Sequence, residues 1–132
     1  MFRSDRRLGW AAAYFLLQGS STILWWAALI ALPEWRKPFL PPGGDEKFLF
    51  AFLYADLPLM ALASFLAAYG LRRQRPWAWG VLCLQAGAAA YAGLLCLGTW
   101  IETDTGVWSL ALMIPPLFVP LTLAWWLRPR DS

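Results

Sequence analysis

Four long apolar segments constrain the fold of this chain more than any other feature. They cover residues 8–32, 48–71, 77–98 and 107–127, and each has roughly the 20 residues that an α-helix needs to cross a bilayer. Strands of a membrane β-barrel would be about 10 residues long and would alternate in polarity. The sequence therefore predicts an all-α membrane protein, in which a four-helix transmembrane bundle forms one domain over residues 1–132.

The overall composition agrees with this class. A chain of 132 residues that is 60% hydrophobic and only 14% charged is too apolar for a soluble domain of its size. A basic N-terminus before an apolar run is also typical of a cleaved signal peptide. We expect a retained helix instead, because the run is too long for a signal peptide and shows no small-residue cleavage site.

The distribution of basic residues predicts the orientation. Arginine is concentrated in the N-terminal segment, in the connection between the second and third helices and in the C-terminal tail, whereas the other two connections are balanced or acidic. The positive-inside rule then places both termini in the cytoplasm. The net charge of +3 follows from this bias, so we expect membrane lipids rather than nucleic acid as partners of the arginines.

The sequence contains few residues suited to metal or redox chemistry. It has no histidine and two cysteines, Cys83 and Cys96, in the same predicted helix. These two lie on different faces and far apart along the axis, so they cannot form a disulfide within one chain. Without a CxxC motif or a histidine there is no evident ligand set. We therefore expect no metal and no cofactor.

One carboxylate, Asp56, lies within the second apolar segment. A carboxylate in hydrocarbon is costly and usually marks a ligand or ion site, a polar interior or a structural hydrogen bond. Pro58 removes one backbone donor, which is expected to leave the carbonyl of Tyr54 unpaired beside the acid. Both a ligand-binding and a purely structural role of Asp56 remain open.

Each of the other helices offers a polar, aromatic or proline residue at the depth of Asp56, roughly 10 to 14 Å from the outer boundary by helical rise. Gln18 and Gln85 form a second layer below. Such a set is typical of a pocket for a mostly apolar molecule with one polar or cationic group. The candidate ligand-binding residues are Asp56, Tyr91, Trp25, Trp26, Gln18, Gln85, Tyr54 and Pro115.

Proline and glycine predict two irregular regions. The fourth helix contains Pro115, Pro116 and Pro120, which free backbone carbonyls and predict a kink with irregular backbone near mid-membrane. The first connection, residues 33–47, is rich in proline and glycine and carries mixed charge. It could cover the outer mouth of the bundle as a cap, although a plain connector is the simpler expectation.

Four stretches of the chain carry a family resemblance. The first helix has Tyr14-Phe15-Leu16, then Thr22 and Leu32-Pro33, and the second has Phe48-Leu49-Phe50 followed by Asp56-Leu57-Pro58. Arg75-Pro76-Trp77 precedes a third helix with Gln85, and the fourth has Pro115 and Pro120 before Leu127-Arg128. In order and topology these stretches resemble the EXPERA family, the four-helix membrane proteins similar to emopamil-binding protein and the sigma-two receptor.

The resemblance implies a ligand site with intramembrane carboxylates and, in the isomerases of the family, a histidine. The polar position before Leu-Pro in the second helix falls on Asp56. The family's acid in the first helix would fall near Trp26 or Ala27, and its glutamate in the second near Phe52, so these groups are missing here. Isomerisation needs a proton donor and an acceptor, for which Asp56 and Tyr91 are the candidate catalytic residues.

These observations predict an integral membrane protein that binds a sterol-, isoprenoid- or amine-like amphiphile in a pocket around Asp56. If it is an enzyme, we expect a proton-transfer isomerase acting on a lipid-like substrate. One alternative is a small proton-coupled transporter that works as a homodimer, with Asp56 as the coupling site. Another is an accessory subunit of a membrane complex, in which Asp56 only hydrogen-bonds a partner helix.

Overall fold

The computed structural model describes residues 5–40 and 43–129, which are mostly helical and contain no strand. The four long helices are α1 (Asp5–Ala31), α2 (Glu46–Arg72), α3 (Ala78–Thr103) and α4 (Val107–Trp126). Each is long and apolar enough to cross a membrane, which confirms the prediction of an all-α protein with four such helices. The bounds differ from the predicted ones by a few residues, most of all at α3, which continues past Gly98 to Thr103.

The first connection begins with a short 3-10 helix, Pro33–Phe39, which we call the cap. α1 ends before it because Pro33 disfavours helical geometry at Leu32, whose φ and ψ are −122° and 83°. Arg36 fixes the cap to the end of α1: its Nε donates to the carbonyl of Leu29 at 2.6 Å and its Nη2 to that of Ile30 at 3.1 Å. These carbonyls belong to the last turn of α1, where intrahelical donors run out.

A π-helical turn, Leu57–Leu62, interrupts α2 directly after Asp56. Within it the N–H of Ala63 donates to the carbonyl of Pro58, five residues back instead of four. Pro58 has no N–H to continue the α-helical pattern, and such turns are frequent at functional sites. In α4, by contrast, the three prolines lie within a continuous α-helix. The irregular backbone predicted for the fourth helix is therefore found in α2 instead.

A tightly packed apolar cluster closes the end of the bundle where α1 begins and α4 ends, which we call the terminal end; the opposite end, with the cap, is the loop end. α2 and α3 approach closely there, since a Cβ on Gly70 would lie 2.8 Å from that of Ala78 and 2.7 Å from the ring of Trp77. The buried members of the cluster are Leu8, Ala11, Ala12, Phe15, Ala67, Ala68, Leu71, Ala78, Leu82 and Leu127.

Candidate functional site

A cavity of about 390 Å³ extends from the middle of the bundle to its loop end. All four helices and the cap line it, with mostly apolar side chains and a few polar groups. On α1 the lining residues run from Tyr14 to Trp25, a length of roughly 16 Å by helical rise. The volume lies within the range of small-molecule sites, and the shape suits an elongated occupant.

Asp56 is half-buried and forms part of the cavity wall. Its Oδ2 accepts a hydrogen bond from Nε1 of Trp26 at 2.9 Å, and Trp26 itself is buried against Leu29 and Leu49. Within the described residues no other donor reaches the carboxyl group of Asp56. The ion pair that these residues form joins Arg36 to Glu46 and does not include Asp56. A carboxylate in apolar surroundings is costly without a partner, so the free oxygen is suited to a donor or a cation.

A cluster of aromatic rings lies beside this acid. The ring of Trp25 packs edge-to-face on that of Trp26, with centroids 4.7 Å apart, and on that of Phe39 of the cap, 5.2 Å away. Trp25 and Phe39 both line the cavity. The Nε1 atom of Trp25 is buried and has no acceptor in the part of the chain that the structure describes. The cap therefore contributes a ring to the site, which makes it more than a connector.

A chain of hydrogen bonds lies deeper in the bundle, between α1 and α2. The hydroxyl of Tyr14 donates to Oε1 of Gln18 at 2.7 Å, and Nε2 of Gln18 donates to the hydroxyl of Ser64 at 3.0 Å. Ser64 in turn donates to the carbonyl of Met60, within the π-helical turn, at 2.5 Å. These bonds join the floor of the cavity to the irregular turn of α2.

The structure places the predicted site residues in three groups. Asp56, Trp25, Gln18 and Pro115 line the cavity. Trp26 and Gln85 are buried behind the wall of the cavity. Trp26 donates a hydrogen bond to Asp56, and Nε2 of Gln85 lies 3.7 Å from the sulfur of Met60. Tyr54 and Tyr91 are 81% and 73% exposed on the outside of the bundle and do not line the cavity.

The predicted catalytic pair is thus not brought together. Asp56 faces the cavity, whereas the exposed phenol of Tyr91 is directed away from it. Two other titratable side chains line the cavity, Tyr14 and Cys96, and the hydroxyl of Tyr14 already donates a hydrogen bond to Gln18. Among the described residues no three His, Cys, Asp or Glu side chains are grouped as metal ligands would be.

Sequence reasoning missed several lining residues. On α2 they include Leu49 as well as Phe52 and Met60, which lie four residues before and after Asp56. That spacing places side chains on one helical face, so both follow from the position of the acid. Phe39 could not be found this way, because nothing in a proline-rich connection indicates which ring turns inward. Ser109, Met113 and Cys96 also line the cavity without a distinctive pattern.

No family model matches the chain, and neither a characterised protein nor a solved structure matches it. The EXPERA resemblance therefore has no support beyond the four stretches of residues that carry it. What the cavity does has to follow from its own geometry and chemistry.

Proposed function

We propose that this protein is an integral membrane protein that binds an amphiphile of sterol-, isoprenoid- or amine-like character in the cavity, with the polar or cationic group at Asp56. The observation that carries this proposal is the position of that carboxylate. It lies in a mostly apolar cavity with one oxygen held by Trp26 and the other without a partner among the described residues. Apolar walls with few convergent polar groups are typical of ligand sites.

A purely structural role of Asp56 fits this arrangement less well. A structural acid within a helix bundle is expected to bond neighbouring helices with both oxygens, because an unpaired one is costly. Asp56 bonds α1 through Trp26 and leaves the rest of its carboxyl group facing open space. An accessory subunit that uses Asp56 only as a helix contact would not need this cavity.

Binding is favoured over isomerisation. Proton transfer within a substrate requires one group that gives a proton and another that takes it. The cavity offers Asp56 for one of these roles, while Tyr91 lies outside and Tyr14 is engaged with Gln18. The EXPERA resemblance supports ligand binding in the same way, since the family position that falls on Asp56 is kept and the histidine is missing.

The transporter alternative is weakened by the terminal end of the bundle. A transport path must reach both sides of the membrane, but below Tyr14 the helices are closed by the apolar cluster that contains Phe15, Leu71 and Leu82. The cavity reaches the loop end, where Trp25 and Phe39 of the cap line it. A homodimeric transporter would have to open this cluster, and no polar path through it is present in the described residues.

Orientation with both termini in the cytoplasm belongs to the proposal and is supported by the basic residues at the terminal end. Arg7 lies over the ring of Trp126 at 4.6 Å, and Arg128 over that of Trp125 at 5.5 Å. Tryptophan and arginine together are typical of the membrane interface, where arginine also contacts anionic lipid headgroups. The cavity would then approach the outer leaflet.

The proposal is tested by the affinity of the purified protein for dodecylamine in lipid nanodiscs. Asp56→Asn is expected to weaken binding about tenfold or more, because it removes the charge that pairs with the ammonium group. Asp104→Asn is the matched control: it makes the same change at an exposed residue whose left-handed φ of 52° asparagine tolerates. Equal affinity of the two variants would contradict the proposal.

A further inference from the structure

The indole N–H of Trp25 is a buried donor in the cavity wall that lacks an acceptor. Trp25 projects from α1 into the lining, and its Nε1 has no hydrogen-bond partner in the described residues. Buried indoles usually find one, because leaving the N–H unpaired forfeits a hydrogen bond that water would otherwise supply. An unpaired donor beside a ligand cavity indicates that the acceptor arrives with the occupant.

This donor and Asp56 belong to the same cluster. The ring of Trp25 contacts that of Trp26 at 4.7 Å between centroids, and Trp26 donates to Asp56 at 2.9 Å. Trp26 therefore contacts both the ring of Trp25 and the carboxylate of Asp56. Trp25 and Asp56 both line the cavity, so one occupant with a polar head can contact both of them.

The two groups require opposite partners. The free oxygen of Asp56 accepts a hydrogen bond or attracts a cation, whereas Trp25 donates. A simple amine satisfies Asp56 alone, and a ketone or an ether satisfies Trp25 alone. A lone hydroxyl can do both but leaves the charge of the carboxylate unbalanced. A protonated amine with a hydroxyl on the neighbouring carbon gives Asp56 a donor, balances its charge and gives Trp25 an acceptor.

We infer that the occupant is a long-chain amino alcohol, which names the ligand class of the proposed function and rests on it. The ammonium group binds Asp56, and the hydroxyl oxygen accepts the hydrogen bond of Trp25. The hydrocarbon chain lies along the apolar side of the cavity that α4 forms with Leu112, Met113 and Pro115. The lining residues on α1 extend over roughly 16 Å, from Tyr14 to Trp25, which leaves room for such a chain.

The cap takes part in this arrangement. The ring of Phe39 packs edge-to-face on Trp25 at 5.2 Å and lines the same cavity, while the Nε1 atom of Trp25 has almost no accessible surface. A hydroxyl can reach the N–H only when a neighbouring ring shifts, and Phe39 lies on the short segment that Arg36 holds. Binding of the amino alcohol therefore requires a ring beside Trp25 to shift, and Phe39 of the cap is the neighbouring ring outside the four long helices.

The test compares the affinities of two probes in nanodiscs. One is dodecylamine, and the other is 1-amino-2-dodecanol, which has the same carbon chain and a hydroxyl on the second carbon. The unmodified protein should bind the amino alcohol about fivefold more tightly, the effect of one added hydrogen bond. In Trp25→Phe the ratio of the two affinities should fall to about one. Trp125→Phe, which alters an exposed indole at the terminal end, should keep the preference.

A second variant protects the test against misfolding of Trp25→Phe. Incorporation of the benzothiophene analogue of tryptophan at position 25 replaces the N–H by sulfur and keeps the shape of the ring, so it should abolish the preference as well. The inference is overturned when the unmodified protein binds both probes equally, or when the preference survives loss of the N–H. Failure of both probes to bind the unmodified protein would overturn the proposed function too, whereas equal binding overturns only the ligand class.

Discussion

Trp26 holds Asp56 in place across the contact between α1 and α2: its indole N–H donates to one carboxylate oxygen at 2.9 Å. Trp26 is only 2% exposed, so the donor is fixed by the packing around it. Because one oxygen is bound to this rigid ring, the other is left on the cavity side. The hydrogen bond therefore determines which part of the carboxyl group a ligand would meet at the proposed site.

The energy of this bond can be measured with a double-mutant cycle. Trp26→Phe and Asp56→Ala should each destabilise the protein, but the double variant should be less destabilised than the sum by about 1 kcal/mol, within the range found for hydrogen bonds between membrane helices. Unfolding in mixed detergent micelles gives the free energies. Trp125→Phe combined with Asp56→Ala is the control and should be additive; additivity in the Trp26 cycle would contradict the bond.

The hydrogen bond between Gln18 and Ser64 joins α1 to α2 at the floor of the cavity. Ser64→Ala leaves the buried amide of Gln18 without its acceptor and should lower the free energy of unfolding by about 1 kcal/mol. Thr122→Ala is a suitable control, since among the described residues that exposed hydroxyl donates to the carbonyl of Phe118 in its own helix and joins no second helix. Equal stability of the two variants would show that the bond does not contribute.

The close approach of α2 and α3 depends on Gly70. A Cβ at this position would lie 2.8 Å from the Cβ of Ala78, which cannot move without its backbone. Gly70→Ala should therefore destabilise the protein by about 2 kcal/mol through overpacking. Gly87→Ala on the open face of α3, where an added Cβ would meet no described atom within 4 Å outside the adjacent backbone, should be neutral or slightly stabilising. Similar melting temperatures of both variants would contradict this packing.

The helical class of the protein and the level of the cavity residues along their helices could be predicted from the sequence. Long apolar segments determine four helices, and helical rise alone sets how far Asp56, Trp25 and Pro115 lie from the membrane boundary. An acid within hydrocarbon is rare enough to mark the cavity by itself. These inferences need no knowledge of how each helix is rotated about its axis.

The rotation of each helix about its own axis could not be predicted from the sequence. Tyr54 and Tyr91 lie at the predicted level along their helices but face outward. Lipid is as apolar as the interior of the bundle, so a membrane helix has no polar face to show which side points outward. The sequence therefore could not exclude these two residues from the cavity. For the same reason the sequence did not show that Cys96 and Ser109 line the cavity. The cap was unpredictable for another reason, since its position depends on Arg36 reaching the end carbonyls of α1 rather than on any local pattern.

The cap is expected to control access to the cavity from the loop end. Cys96 lines the cavity, so its rate of alkylation by N-ethylmaleimide reports access once Cys83 is replaced by alanine. Glu46→Gln removes the ion pair with Arg36 and should raise this rate by up to about fivefold, as expected for an exposed pair. Phe39→Ala should raise it further.

Glu102→Gln changes an exposed acid that has no ion pair among the described residues and should leave the rate unchanged. If neither Glu46→Gln nor Phe39→Ala alters the alkylation rate, the reagent reaches Cys96 by another route, such as between the helices from the bilayer. In that case the cap does not control access.

Protection of Cys96 by dodecylamine tests the central claim most directly, because it reports both occupancy of the cavity and its dependence on Asp56. With Cys83 replaced by alanine, dodecylamine should slow alkylation of Cys96 in a saturable manner. In the same background Asp56→Asn should abolish this protection, while Asp104→Asn should retain it. Alkylation that dodecylamine does not slow, or that it slows equally with and without Asp56, would contradict an amphiphile site at this carboxylate.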